Sequence, residues 1–441
     1  MVSWSMDADV IVIGAGIAGL AAARRLGRNG RRRDRPRSAG ARPAGRILTE
    51  YPRGLAIPVE LGPEFVHGGN PLLRAALRQA GMRLRRVRRD MWVRDGEGLR
   101  RLHTYWTDLA RLSARIPPRT KESFADFLRR ERRLAPAERA RWRAFVEGFN
   151  AAPAGRMSAS SIRLEHSGGR CAPVTAAAGL SSAGGFARRS AAAAEDFLEI
   201  QCAGHGGALA AGRGWRSARG GRLFRARAAI ITLPLGIWQA GAVRFTPPLR
   251  EKRRIVRRLG WGQVVRVTLR FDPDFWRSCL LPAALHRRGR ANFGFFSVPG
   301  QDFPSWWAPS PGAPLLVGWN GGPAGEAAAE IAAGGARDAG VARAGGGLGP
   351  AGGGGLRRHL RGAWSHNWAQ DPWDAWRVQL PGRRLRAGTG ATRAARGRDA
   401  VLRGRGDRGR TRHRARRARE RRARGRGDFA EVKIPAPAPG H

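Results

Sequence analysis

Hydrophobic positions along this chain fall into a few patterns, each pointing to a different element. Val10 to Ile13 is an unbroken apolar run that feeds into Gly14-Ala15-Gly16-Ile17-Ala18-Gly19, and an alanine-rich helical pattern continues to Leu26. Ala228 to Leu233 is a second, mainly apolar run with Thr232 its one polar position. Runs without polar alternation predict strands buried on both faces, as in a parallel sheet. Pro71 to Ala152 reads instead as several amphipathic helices, with Leu72, Leu73, Ala76 and Leu77 at helical spacing, then Phe124, Phe127 and Leu128. Gly260 to Phe271 predicts a further strand. His166 to Arg222, Gly335 to Gly355 and the stretch from Asp374 to Asp428 show no period and read as disordered by composition.

The first run carries candidate chemistry. In a strand–G-x-G-x-x-G–helix unit, Gly14 permits the tight turn and Gly16 lets a pyrophosphate approach the backbone. Gly19 lets the helix pack closely on its strand, and the helix N-terminus faces the phosphates. The motif alone is weak, but its place between a strand and a helix is the context that a dinucleotide site requires. The second strand of such a unit should end in an acidic residue for the ribose. Arg31 to Pro43 has no strand pattern, and Asp34, near the right distance, lies among arginine and proline.

Composition changes this picture in one respect. The chain of 441 residues is long enough for two domains, and its 82 basic against 33 acidic residues give a formal charge of +49. Three of the basic residues are lysine (Lys121, Lys252, Lys433), so the other 79 of the 82 are arginine. The arginines come in blocks with Gly, Ala and Pro and without aromatic interleaving, unlike a folded nucleic-acid-binding face. Codons rich in G and C yield those four residues in almost any frame. Cys171, Cys202 and Cys279 have no paired spacing, which argues against a disulfide scaffold or a zinc site. The absence of a long apolar segment and of a signal peptide at Met1 to Asp9 predicts a soluble cytoplasmic protein without a membrane partner.

Several segments resemble the flavin-containing amine oxidase family. These are the fingerprint, Gly45-Arg46-Ile47, Glu60-Leu61-Gly62-Pro63-Glu64-Phe65, Pro234-Leu235-Gly236, Phe245-Thr246-Pro247-Pro248-Leu249 and the strand to Phe271 with Phe275-Trp276. Phe145 to Asn150 resembles the family's helical substrate domain, with residues expected in its core. Asn292 to Gly322, with Trp306, Trp307 and Trp319, resembles the strands that wall its substrate cavity. Trp368 to Pro372 matches its W-x-x-D-P approach to the active site. Ala44 stands where the first Gly of a Gly-Gly-Arg segment is usual.

The resemblance implies an α/β fold with an α+β substrate part. A Rossmann-type FAD-binding domain (residues 6–70 and 223–260) would carry an inserted mixed-sheet and helical substrate domain (71–165 and 261–373). Residues 166–222 and 374–441 would be arginine-rich and disordered. It implies FAD as cofactor, held by Gly14, Gly16, Gly19, Gly45, Arg46, Gly62, Pro63 and Glu64. A small amine and O₂ would be the partners, with no specific nucleic acid, no metal and no nucleophilic triad. Arg266 stands where many members place a lysine that reaches the flavin through water; the residue itself reads equally as a solvent-facing arginine.

Family-like segments alternate abruptly with aperiodic ones, and the same register returns after each gap. Read one base later, Arg33 to Ala41 permits VTVLEARA, an apolar strand ending in Glu. Gly335 to Gly355 permits ALETLASLARA, an ordinary amphipathic helix. Asp399 to Arg424 permits TLFFAGEATEG, GTVHGA and ESGERA, close to the family's C-terminal flavin motif. Local frameshifts would therefore account for the missing elements. Resequencing the gene is expected to find single-base insertions or deletions flanking Arg33–Ala41 and Asp399–Arg424. Bases that cannot spell an apolar strand ending in Glu in any frame at Arg33–Ala41 would refute the frameshift account.

Overall fold

The computed structural model describes residues 8–27, 45–66, 71–79, 84–88, 90–95, 98–166, 175–177, 207–210, 214–216, 223–224, 226–276, 286–287, 290–291, 293–325, 358–366, 368 and 378–380. Strand β1 (Ala8–Ile13) enters helix α1 (Ile17–Gly27) through the predicted glycine turn. Gly14 takes φ +109°, and a Cβ there would lie 2.5 Å from Thr232 Oγ1. At Gly19 a Cβ would overlap the carbonyl oxygen of Gly14. Both positions therefore require glycine, one for its backbone angle and one for close helix–strand packing.

The next described elements are β2 (Thr49–Glu50), β3 (Val59–Glu60), β4 (Phe65–Val66) and α2 (Pro71–Gln79). Helix α2 forms where the Leu/Ala spacing places it, with Leu77 buried and Leu72 82% exposed. Within the expected helical stretch, the part from 84 to 102 is corrected. Residues 84–102 form β5 (Leu84–Arg86), β6 (Met91–Asp95) and β7 (Gly98–Leu102). Met91 and Val93 are buried at alternate positions, which is a strand period.

True helices follow: α3 (Tyr105–Ala114), α4 (Phe124–Arg130), α5 (Pro136–Asn150) and α6 (Ala159–His166). Their shared core contains Leu109, Ile116, Phe124, Phe127, Trp142, Val146 and Met157. A capping box starts α4: Ser123 Oγ accepts from Asp126 N at 3.1 Å, and Ser123 N donates to Asp126 Oδ2 at 3.2 Å. Proline opens the first turn of α5, and Ala151 ends it in the left-handed region at φ 54°.

The aperiodic stretch 166–222 contributes β8 (Thr175–Ala177), β9 (Gly207–Ala210) and β10 (Gly214–Arg216) among its described residues. β11 (Leu223–Phe224) and β12 (Ala226–Ile231) follow, then α7 (Leu235–Gln239), β13 (Val243–Thr246), α8 (Arg250–Val256), β14 (Gly260–Gly262) and β15 (Val264–Phe271). β12 runs parallel to β1, pairing Ile13 with Ile231. Ile11, Ile13, Ile231 and Phe245 are buried on one face of this pair, and Val12, Leu20 and Ala23 on the other. Packing on both faces is why β1 reads as an unbroken apolar run, while β12 is half-buried along most of its length. β9, β10, β11 and β13 form a separate four-stranded sheet.

The chain continues with β16 (His286–Arg287), β17 (Arg290–Ala291), β18 (Phe295–Ser297), β19 (Ser305–Trp307), β20 (Leu315–Gly321), β21 (Leu360–Ser365) and β22 (Val378–Leu380). The largest sheet has the order β21-β15-β20-β19-β18-β6-β7. β6 and β18 pair in parallel inside this otherwise antiparallel sheet. Its core face includes Val267, Leu269, Phe271, Phe296, Trp306 and Leu316. Beyond Asp374, β22 pairs antiparallel with β14. The segments Arg33–Ala41, Gly335–Gly355 and Asp399–Arg424, to which the frameshift reading applies, lie outside the described residues.

Candidate functional site

The N-terminus of α1 supplies the first half of the site. Gly16 is half-buried, and a Cβ built on it meets nothing within 4 Å, so this face of the turn is open. The helix starts with Leu20 N donating to Gly16 O at 3.0 Å, and its first turn has no acidic residue. Free N–H groups and the positive end of the helix dipole therefore face a space suited to an anion.

A second segment closes on this turn. Gly45, at φ +55°, lies where its Cβ would be 3.4 Å from Gly16 Cα, which brings the exposed Arg46 beside the α1 N-terminus. A Cβ at Gly62 would overlap Arg46 O. The structure thus brings Gly14, Gly16, Gly19, Gly45, Arg46 and Gly62 together, with Pro63 exposed just after Gly62. Asp34 and Ala44 lie outside the described residues. An open helix N-terminus with a glycine turn and an adjacent arginine fits a diphosphate, so this half of the site fits FAD.

Arg266, on β15, anchors the second half. It is 6% exposed, so the solvent-facing reading is corrected. Its Nη1 donates to Gly62 O at 3.0 Å and its Nη2 to Glu64 Oε2 at 2.7 Å. Trp307 Nε1, from β19, donates to the same Oε2 at 3.1 Å. The guanidinium also lies 5.7 Å from the centre of the Trp307 ring. Beside this pair, Phe65, Phe295 and Trp307 form an aromatic cluster with centroids 5.4 to 6.0 Å apart. Glu64, Phe65, Phe293 and Trp307 wall a pocket there, next to the segment that carries Gly62.

The segment between the two halves is held on several sides. Leu61 N donates to Leu48 O at 2.8 Å, and Trp368 Nε1 donates to Leu61 O at 2.9 Å. Trp368 is 3% exposed, so the tryptophan of the W-x-x-D-P match fixes this segment directly. Glu60 is buried and accepts from Thr49 Oγ1 at 2.6 Å through Oε2. Burial pushes its pKa up to about 7, against the lowering effects of the Thr49 hydrogen bond and of Arg266, while Glu64 raises it further.

The sequence joined Glu60, Gly62 and Glu64 in one segment and placed Trp307 in a cavity-wall match, but it did not join either to Arg266. It missed Thr49, for which no sequence signal was available.

The profile of the flavin containing amine oxidoreductase family matches residues 17–331. A relative, "Lysine-specific histone demethylase 1 homolog 2" of Oryza sativa subsp. japonica, is 29% identical over 347 residues, covering 71% of this chain. The chain spans 43% of that relative's length. Among solved structures, wild-type putrescine oxidase bound to putrescine aligns with TM-score 0.65 at 18% identity, covering 87% of this chain and 90% of that one. Cyclohexylamine oxidase from Brevibacterium oxydans IH-35A aligns with TM-score 0.65 at 19% identity over 87% and 90% of the two chains.

The buried carboxyl makes stability depend on pH. Glu60 titrates near 7 in the folded chain and near 4.5 unfolded, so between these values the folded state holds a proton that the unfolded state has released. Stability should therefore fall as pH rises across that window. Unfolding midpoints measured through it should show this slope in the wild type and lose most of it in Glu60→Gln.

Proposed function

Because this chain belongs to the flavin containing amine oxidoreductase family, we propose that it is an FAD-dependent amine oxidase. It would oxidise a small amine to an imine, which hydrolyses to an aldehyde or ketone, with O₂ reduced to hydrogen peroxide. The observation that carries the reading is the juxtaposition of an anion-receiving helix N-terminus with an acidic, aromatic-walled pocket across one short segment, residues 60–65. Bound FAD would supply the hydride acceptor, and the protein's part is binding, orientation and electrostatics.

The residues divide that work. Gly14, Gly16, Gly19, Gly45 and Arg46 would hold the diphosphate, with Gly62, Pro63 and Glu64 beside the flavin. Arg266 would keep a fixed positive charge at the reacting end. Phe65 and Trp307 exclude water and offer ring faces to an alkylammonium group. Residues 6–70 and 223–260 would form the cofactor domain, and 71–165 with 261–373 the substrate domain. The unpaired cysteine spacing suits a cytoplasmic place of action. Many arginines of the described helical part meet carboxylates, as in Arg130–Glu122 at 3.0 Å and Arg143–Glu147 at 3.2 Å. That pattern favours the enzyme over a nucleic-acid-binding reading, in which such arginines would stay free for phosphates.

The frameshift account bears on activity. The ribose carboxylate and the C-terminal flavin motif fall in stretches read out of frame, so the chain as translated should retain little FAD. Flavin per protein, measured after purification, should be low for this chain. It should approach one in a version with the frame restored at Arg33–Ala41, Gly335–Gly355 and Asp399–Arg424. The restored protein should release peroxide on addition of an alkylamine. A restored protein without flavin would overturn the assignment, and stoichiometric flavin in the chain as translated would overturn the frameshift account.

A further inference from the structure

Arginines of the helical part meet carboxylates, as in Arg115–Glu131 at 3.8 Å, Arg129–Asp126 at 3.2 Å and Arg130–Glu122 at 3.0 Å. Those along one face of α8 meet none. From Arg250 to Arg258 the chain carries six basic residues and one acidic residue. Arg250, Arg253, Arg254 and Arg257 are exposed, and among the described residues none of their side chains has a hydrogen bond, ion pair or ring contact. Glu251, exposed on the same helix, pairs with none of them.

Spacing puts these four arginines together. Residues at i, i+3, i+4 and i+7 share one side of a helix, and Arg250, Arg253, Arg254 and Arg257 follow that rule. Arg257, just past the last helical residue, keeps helical angles (φ −65°, ψ −18°), and its N–H donates to Arg253 O at 3.1 Å. The complementary positions, Lys252, Ile255, Val256 and Leu259, are half-buried or buried. Leu249, just before the helix, packs on the core of Ile11, Ile13, Ile231 and Phe245. Gln239 Nε2, from α7, donates to Val256 O and to Leu259 O at 2.9 Å each. One side of α8 is thus fixed to the fold, and the other presents a basic stripe about 10 Å long.

We propose that this stripe is a docking surface for the sugar–phosphate backbone of a nucleic acid, held by Arg250, Arg253, Arg254 and Arg257 without regard to base sequence. Four exposed guanidinium groups within about 10 Å repel one another, and a polyanion of matching charge density relieves the repulsion. A DNA duplex offers one negative charge per about 1.7 Å of axis, and the guanidinium fork matches phosphate oxygens two at a time. A membrane surface fits less well, because Leu249, Ile255 and Val256 are half-buried on the side that packs on the fold and are not presented for insertion. α8 lies between Phe245–Leu249 and Gly260–Phe271, two segments that keep the family register, so its arginines are unlike the aperiodic blocks. This surface is additional to the amine-oxidising site and does not depend on that reading.

The test maps arginines on the full chain, with a random-sequence DNA duplex of about 20 base pairs as probe. Phenylglyoxal modification, read residue by residue in the mass spectrometer, should slow about fivefold or more at Arg250, Arg253, Arg254 and Arg257 when the duplex binds. It should hold at Arg115, Arg129 and Arg130, whose carboxylates already occupy them. A variant with Arg250→Gln, Arg253→Gln, Arg254→Gln and Arg257→Gln should lower the slope of log affinity against log salt by about 3 to 4, at about 0.9 per phosphate contact. Changing Arg115, Arg129, Arg130 and Arg143 to Gln removes the same charge and should lower the slope by less than about one. Modification of α8 that is unchanged while the duplex binds, or equal loss of slope in the two variants, would overturn the docking surface. Equal protection of α8 by polyglutamate, or by vesicles of phosphatidylglycerol and phosphatidylcholine, would overturn the nucleic acid as its occupant. The modification map needs no variant, so it decides the matter if either variant does not fold.

Discussion

A guanidinium taken out of water needs acceptors that hold still, and Arg266 finds them more than two hundred residues earlier, at Gly62 O and Glu64 Oε2. This contact sets the relation between the two halves of the molecule's site. Arg266 belongs to the large sheet through β15, while Gly62 belongs to the segment that closes on the β1–α1 turn. Removing one partner of such a pair would leave a buried charge without compensation, which is far more costly than the pair's net contribution to stability. Trp307, by donating to the same carboxylate, ties the pocket wall to the pair. Cofactor cradle, charge and aromatic wall are thereby placed relative to one another by a handful of bonds to residues 60–65.

Close backbone approach does the remaining positioning. A Cβ at Gly262 would overlap Ala151 O, and one at Gly321 would overlap Gly148 O, so the C-terminal end of α5 lies directly against β14 and β20. Trp319 Nε1 donates to Gly148 O at 3.0 Å across the same seam. The helical part and the sheet consequently pack as neighbours without intervening side chains, and the helical core of Trp142, Val146 and Phe127 backs that seam.

Much of this was legible in the sequence, for reasons that differ by element. β1 packs apolar side chains on both faces and β12 lies half-buried beside it, so their apolar runs were plain. α4 announced itself through Phe124, Phe127 and Leu128, all buried. β6 and β7 were hidden among helices because five-residue strands offer barely two alternations, and β6 is held by long-range parallel pairing with β18. β9 and β10, built of Gly, Ala, Leu, Trp and Arg, carry no side-chain period to read. The site was legible by motif at its glycines and illegible at its charges. One arginine among 79 gives no sign of burial, and its carboxylate partner lies 202 positions away. Glu60 was visible as a residue, but its raised proton affinity comes first from its burial in the fold, which the sequence alone does not show.

The central claim is that the Arg266–Glu64 pair is one interaction holding the two halves of the site together. A double-mutant cycle with Arg266→Met and Glu64→Leu, read as unfolding free energy in denaturant, tests it most directly. Each single change should cost about 3–5 kcal/mol by stranding its buried partner, and the double mutant should recover at least about 2 kcal/mol of their sum. Additive losses would contradict the account, because they would mean that Arg266 and Glu64 act independently and that residues 60–65 are fixed by other contacts.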